Sequence, residues 1–187
     1  MRCPNKLGAR VKPTAQMSPA APTANPRLVV TAHDPSGTAI FASDAPIDLF
    51  YPMGPQGSSF AVFDRRGAVP VNNVDRAEPS GSTIPRCPPR GAIFCITNIA
   101  PGFTVPMHRT LSLDWAVVLS GEIVLRLEGG AEKTVRAGEF IVQGGVNHQW
   151  VNETAEVCRI AVASLDADKV TLADGTELDE VAVKRPA

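Results

Sequence analysis

Residues 107–121, MHRTLSLDWAVVLSG, decide the fold. Successive side chains of a strand point to opposite faces, so His108 and Thr110 share one face. On the apolar run that follows, Asp114, Ala116 and Val118 share a face in the same way. A chain with only three histidines thus places one of them on a β-type segment, two residues before a hydroxyl and just ahead of a strand that carries a carboxylate.

The texture on either side is the same. From Arg27 onward the runs RLVVTAHD, AIFAS, SFAVFD, GAIFCITNI, FTVPMHRT, EIVLRLEG, KTVRAGEFIVQ, HQWVN and VCRIAVASL are short and β-branched or alternating. Gly, Pro, Asn or Asp separates them at intervals of roughly 8–12 residues. EIVLRLE alternates cleanly, with Ile123, Leu125 and Leu127 on one face and Glu122, Arg126 and Glu128 on the more exposed one. No helical period lasts three turns; only ELDEVAVKR, residues 177–185, leaves room for a short helix. The pattern predicts an all-β sandwich or barrel. NNVDRAEPSGSTIPRCPPRG, residues 72–91, is too rich in Pro and Ser for a strand and reads as a long surface loop. The first 26 residues, rich in Pro, Ala and Thr and free of acid, lack the apolar core of a secretory signal and predict a disordered tail. The expected organisation is a tail over 1–26, N-terminal strands and the long loop over 27–90, and a barrel with a C-terminal tail over 91–187.

Composition narrows the function. A chain of 187 residues is one ordinary domain, large enough for a real core. Its 18 basic and 19 acidic residues leave a net charge of −1, so nothing points to a nucleic-acid partner or to an acidic solvating tract. No window of ~18 consecutive apolar residues exists, which argues against a transmembrane helix. Cys3, Cys87, Cys95 and Cys158 lie far apart with no C-x-x-C pair. Such spacing fits reduced, buried thiols and a cytoplasmic protein.

Two spacings carry a family resemblance. G-x5-H-x-T-x3-D-x6-G, from Gly102 through His108, Thr110 and Asp114 to Gly121, resembles the first cupin motif, G-x5-H-x-H-x3,4-E-x6-G. The stretch from Gly138 through Gly144, Gly145 and His148 to Asn152 is similar to the second, shortened by one residue before the histidine. The resemblance covers about residues 90–165. The whole chain is similar to small single-domain cupins of bacteria and of fungal metabolite gene clusters. It implies a double-stranded β-helix, a jelly-roll barrel with its site in the mouth, flanked by N-terminal edge strands. Thr110 stands where the family has its second histidine, and Asp114 where it has glutamate.

Carried over residue by residue, the resemblance leaves His108, Asp114 and His148 as metal ligands and as the catalytic set. Two imidazoles and one carboxylate in open geometry suit Fe, Zn or Mn; without a metal, a histidine acts alone as general base. Aspartate is a methylene shorter than glutamate, so Asp114 is either a ligand or a hydrogen-bond partner that orients an imidazole. Thr110, Gln143, Asn147 and Trp150 are the candidates for substrate contact, with Gln143 and Asn147 flanking a glycine turn. Arg109 points away from Thr110 and reads as a solvated or interface residue, Trp115 as packing, and His33 as part of a turn. The function expected is a small-molecule lyase, dehydratase, decarboxylase or isomerase. An Fe(II) dioxygenase and a non-catalytic ligand-binding protein are the alternatives. Exposed strand edges usually need covering, so a homodimer is expected.

Overall fold

The computed structural model describes residues 23–74 and 83–183. The expected disorder of the tail falls largely on residues 1–22, outside the described residues, as does the middle of the 72–91 loop. Thirteen strands and no helix form among the described residues. They are β1 (Arg27–His33), β2 (Ala39–Pro46), β3 (Ser59–Arg66), β4 (Ala92–Ile99), β5 (Thr104–His108), β6 (Ser112–Ser120) and β7 (Glu122–Leu127), then β8 (Glu132–Arg136), β9 (Phe140–Gly144), β10 (His148–Val151), β11 (Cys158–Asp166), β12 (Val170–Thr171) and β13 (Glu177–Leu178).

Two antiparallel sheets face each other as a jelly roll. One has the order β3-β4-β11-β6-β9 and the other β5-β10-β7-β8. Alternation along the strands sends one set of side chains inward. Ile99, Val118, Ile123, Cys158 and Ile160 meet between the sheets, each no more than 1% exposed. Gly121 turns the chain from β6 into β7 with φ +73°, and a Cβ there would stand 3.0 Å from the Val157 carbonyl oxygen. Only glycine takes that conformation and that approach without strain.

The sequence reading needs two corrections here. Of the N-terminal strands, only β3 joins the barrel, pairing with β4. Among the described residues β1 and β2 pair only with each other; Leu28, Val30 and Ala32 form one half-buried face of β1, while Phe41 of β2 is 76% exposed. The candidate helix at 177–185 is instead extended over its described part. It holds β13 and a bridge between Val181 and Arg109, since its backbone groups find strand partners before a helical turn can close.

Candidate active site

Strand register assembles the polar cluster. β5 and β10 run antiparallel with His108 opposite His148, and β6 and β9 put Asp114 opposite Gln143. Directly opposed residues bring their Cβ atoms to about 4.5–5.5 Å. The two imidazoles lie with ring centroids 4.2 Å apart, inclined at 50°. Gln143 then crosses from the five-stranded sheet to the four-stranded one, its Nε2 lying 3.1 Å from His148 Nε2.

The proton positions follow from these partners. His108 Nδ1 sits 2.8 Å from the Pro106 carbonyl oxygen and His148 Nδ1 2.9 Å from that of Val146. A carbonyl only accepts, so each Nδ1 carries the proton and each Nε2 keeps its lone pair. Gln143 therefore donates from Nε2 to His148, and the same amide nitrogen faces Asp114 Oδ2 at 3.5 Å. Reversing the amide would set its oxygen against a lone pair and a carboxylate. Its Oε1 is left buried with no hydrogen-bond partner, an arrangement that costs about 1–3 kcal/mol unless a ligand or water fills it.

Burial keeps both imidazoles neutral. It is the main cause of a His148 pKa pushed down to about 4, with His108 adding repulsion and the bond to Val146 opposing. Burial likewise lowers His108, against the opposing pulls of the Pro106 bond and the Asp114 charge. Of the two neutral imidazoles, His108 keeps an Nε2 lone pair with no hydrogen-bond partner among the described residues and is the proton acceptor in waiting, while that of His148 accepts from Gln143.

Ser112 Oγ is 2.8 Å from Asp114 Oδ1 and 2.9 Å from Thr110 Oγ1. A hydroxyl has one proton, and the carboxylate is the stronger acceptor. The one Ser112 proton is therefore directed at Asp114, with Thr110 Oγ1 as its second acceptor. Asp114 is thus held by Ser112 and Gln143 rather than by an imidazole.

These groups close one end of a cavity of about 120 Å³. His108, Thr110, Asp114, Gln143, His148 and Trp150 all line it, and Trp150 meets His148 edge-on at 5.5 Å. Asn147 does not line it; its Nδ2 turns outward to Glu128 Oε2 at 2.8 Å. Arg109 is a correction of another kind, being buried at 8% exposure. The C-terminal segment crosses over it, pairing Val181 with its backbone and offering the Asp179 carbonyl to Nη1. Trp115 lies on the outer face, 47% exposed.

Sequence reasoning missed several lining residues. Ser112 was readable, since it sits two residues before Asp114 on the same strand face. Arg86 and Cys87, from the Pro-rich loop, and Val183 also line the cavity, and no periodicity marks them. Arg86 pairs with Glu180, tying that loop to the C-terminal segment. Burial pushes the Cys87 thiol up to about 11, so it is not a nucleophile at neutral pH.

The comparisons agree with this geometry. The model described as Cupin domain matches residues 95–165, which run from β4 to the end of β11. Phomopsin biosynthesis cluster protein D of Diaporthe leptostromiformis is 31% identical over 163 residues, covering 83% of this chain and 86% of that one. The chain belongs to the cupin family. Oryzines biosynthesis cluster protein J of Aspergillus oryzae is 29% identical over 158 residues, 81% of this cupin and 88% of that protein. A cupin-domain-containing oxidoreductase of Aspergillus ruber, fogC, is 30% identical over 128 residues, 67% of this chain and 63% of its own.

Cupins commonly bind metal ions, and the donor set here meets that need only in part. Among the described residues, no three His, Cys, Asp or Glu side chains come together where they could hold an ion. The two imidazoles fall one ligand short of the three that catalytic sites take, because Gln143 stands between His148 and Asp114.

Proposed function

We propose that this cupin is a small-molecule enzyme of secondary metabolism that works by proton transfer. Its reaction is that of a lyase, dehydratase, decarboxylase or isomerase on a metabolite bearing carbonyl or hydroxyl groups. The observation that carries this reading is the pair of neutral imidazoles fixed through Nδ1, of which His108 turns an unengaged Nε2 lone pair to a largely apolar cavity. His108 Nε2 has no hydrogen-bond partner among the described residues and is the general base. His148 stands beside it on the neighbouring strand, and its Nε2, held by the Gln143 amide, takes a proton only when that bond opens. The Asp114 carboxylate, with Ser112 and Thr110, stabilises positive charge as it develops on the imidazoles.

Deuterium incorporation tests the proposal. A panel of small α-hydroxyketones, which carry an acidic C–H beside a hydroxyl donor, is incubated with the protein in heavy water and read by mass spectrometry. The wild type is expected to label at least one of them. His108→Gln is expected to lower the rate by about 10²–10⁴-fold, the usual worth of a positioned base. No labelling by the wild type, or full labelling by the variant, sinks the reading.

The second reading is a divalent metal, Fe, Zn or Mn, on His108 and His148 with Asp114 behind them. It is favoured by the Nδ1–carbonyl bonds, which metal-bound histidines also make, and by the relative named an oxidoreductase. Elemental analysis of untagged protein decides. Stoichiometric metal lost in both His108→Ala and His148→Ala, and kept in Thr110→Ala, supports it. We also propose that the protein works as a homodimer, supported by the exposed apolar side chains of β9.

A further inference from the structure

Around His108 and Gln143 the cavity is rich in lone pairs. Both imidazole Nδ1–H groups are spent on carbonyls. The Gln143 amide protons face His148 and Asp114, and the one Ser112 proton is turned toward Asp114 and Thr110. What remains is His108 Nε2, the partnerless Oε1 of a Gln143 side chain only 6% exposed, and the Asp114 carboxylate. Among the described residues, Arg86 is the sole Lys or Arg lining the cavity, and Glu180 engages it. The remaining wall is largely apolar, built by Met53, Phe60, Ile99, Val105, Ile141 and Trp150 among others, with the hydroxyls of Thr97 and Ser164 set into it.

We propose that this cavity selects neutral molecules with an apolar body and a hydroxyl donor, phenols or enols, and refuses carboxylates. The hydroxyl proton points at His108 Nε2 and Gln143 Oε1, filling the amide oxygen that the fold leaves unpaired. A hydroxyl-free analogue leaves that acceptor dry, and sites built for a hydroxyl reject such analogues strongly. An anion meets a carboxylate and lone pairs, with no uncommitted cation to offset them. The proposal rests on the proton-transfer reading in that it places the reacting hydroxyl against the proposed base.

The test uses the full chain carrying Trp115→Phe, which leaves Trp150 as the single tryptophan of a chain that has two. The probes are p-cresol, 4-methylanisole and p-toluate, followed by Trp150 fluorescence and by calorimetric titration. The expected result is saturable p-cresol binding at least about tenfold tighter than 4-methylanisole, and no binding of p-toluate. Gln143→Leu in the same background should shrink the cresol–anisole gap to about threefold or less, with the circular dichroism spectrum retained. Equal binding of the ether, preference for the toluate, or no binding of cresol overturns the proposal; so does an unchanged gap in Gln143→Leu. Binding is read without turnover. Cresol selectivity without deuterium exchange therefore defeats the catalytic reading alone, and exchange without hydroxyl selectivity defeats this one alone.

Discussion

His148 couples the site to stability through its proton. Its pKa is about 4 in the folded chain against about 6.5 when unfolded. Above pH ~6.5 neither state is protonated and the native state keeps its full stability. Between pH ~6.5 and ~4 only the unfolded state takes the proton, so stability falls as pH falls. The loss approaches about 3 kcal/mol near pH 4, and His108, shifted the same way, adds to it. Urea unfolding across this window should show that slope, and His148→Gln should flatten it. A wild type equally stable at pH 4.5 and pH 7 would refute the burial argument. Gln143 belongs to this scale too, since its amide both props His148 and screens that ring from Asp114.

At the scale of elements, the connections beside the barrel carry specific demands. Asn152 ends β10 and is 1% exposed. Its Nδ2 donates to the Ile99 and Glu156 carbonyls, and its Oδ1 accepts from the Thr154 backbone and hydroxyl. One side chain thus pins β10 to the end of β4 and shapes the turn into β11. Asn152→Ala strands these groups in a buried place and should cost about 2–4 kcal/mol, seen as a lower urea midpoint. Ile160 in β11 is wholly buried in the core between the sheets, and Ile160→Ala should cost about 2–5 kcal/mol. Both variants are expected to unfold in one transition with an unchanged urea slope; a cost below ~0.5 kcal/mol for either would contradict the packing described.

Over the whole molecule, apolar surface is left uncovered. Phe140 and Val142 on the edge strand β9 are 79% and 72% exposed, with Trp115 and Leu119 on neighbouring β6 at 47% and 51%. Phe41 of the β1–β2 hairpin is 76% exposed. Edge strands with exposed large apolar groups pair or aggregate unless something covers them. A second copy supplies such cover, and light scattering at micromolar concentration should give twice the chain mass of 19.8 kDa. Replacing Phe140 and Val142 with lysine should leave monomers with the barrel intact by circular dichroism. A monomeric wild type would end the dimer proposal without touching the fold.

Strand identity was legible because it is local. Alternation and turn residues marked β1 to β7, β10 and β11 and took β8 and β9 as one run, and the resemblance carried by the glycine and histidine spacings implied a jelly roll. They also singled out His108, Thr110, Asp114, Gln143, His148 and Trp150, all of which line the cavity. Only the tertiary structure decided which of them touch. Whether Asp114 meets an imidazole depends on the register of β6 against β9 and on the gap between two sheets. That gap is spanned by Gln143, while Asn147, four residues on, swings out to Glu128. Arg109 looked solvated because the segment that buries it lies some 70 residues later. The pairing of β1 with β2 rather than with the barrel is likewise a choice among edges. Periodicity reports which side of its own strand a residue faces; contacts between strands are set by packing across the sheets, which one-dimensional spacing does not encode.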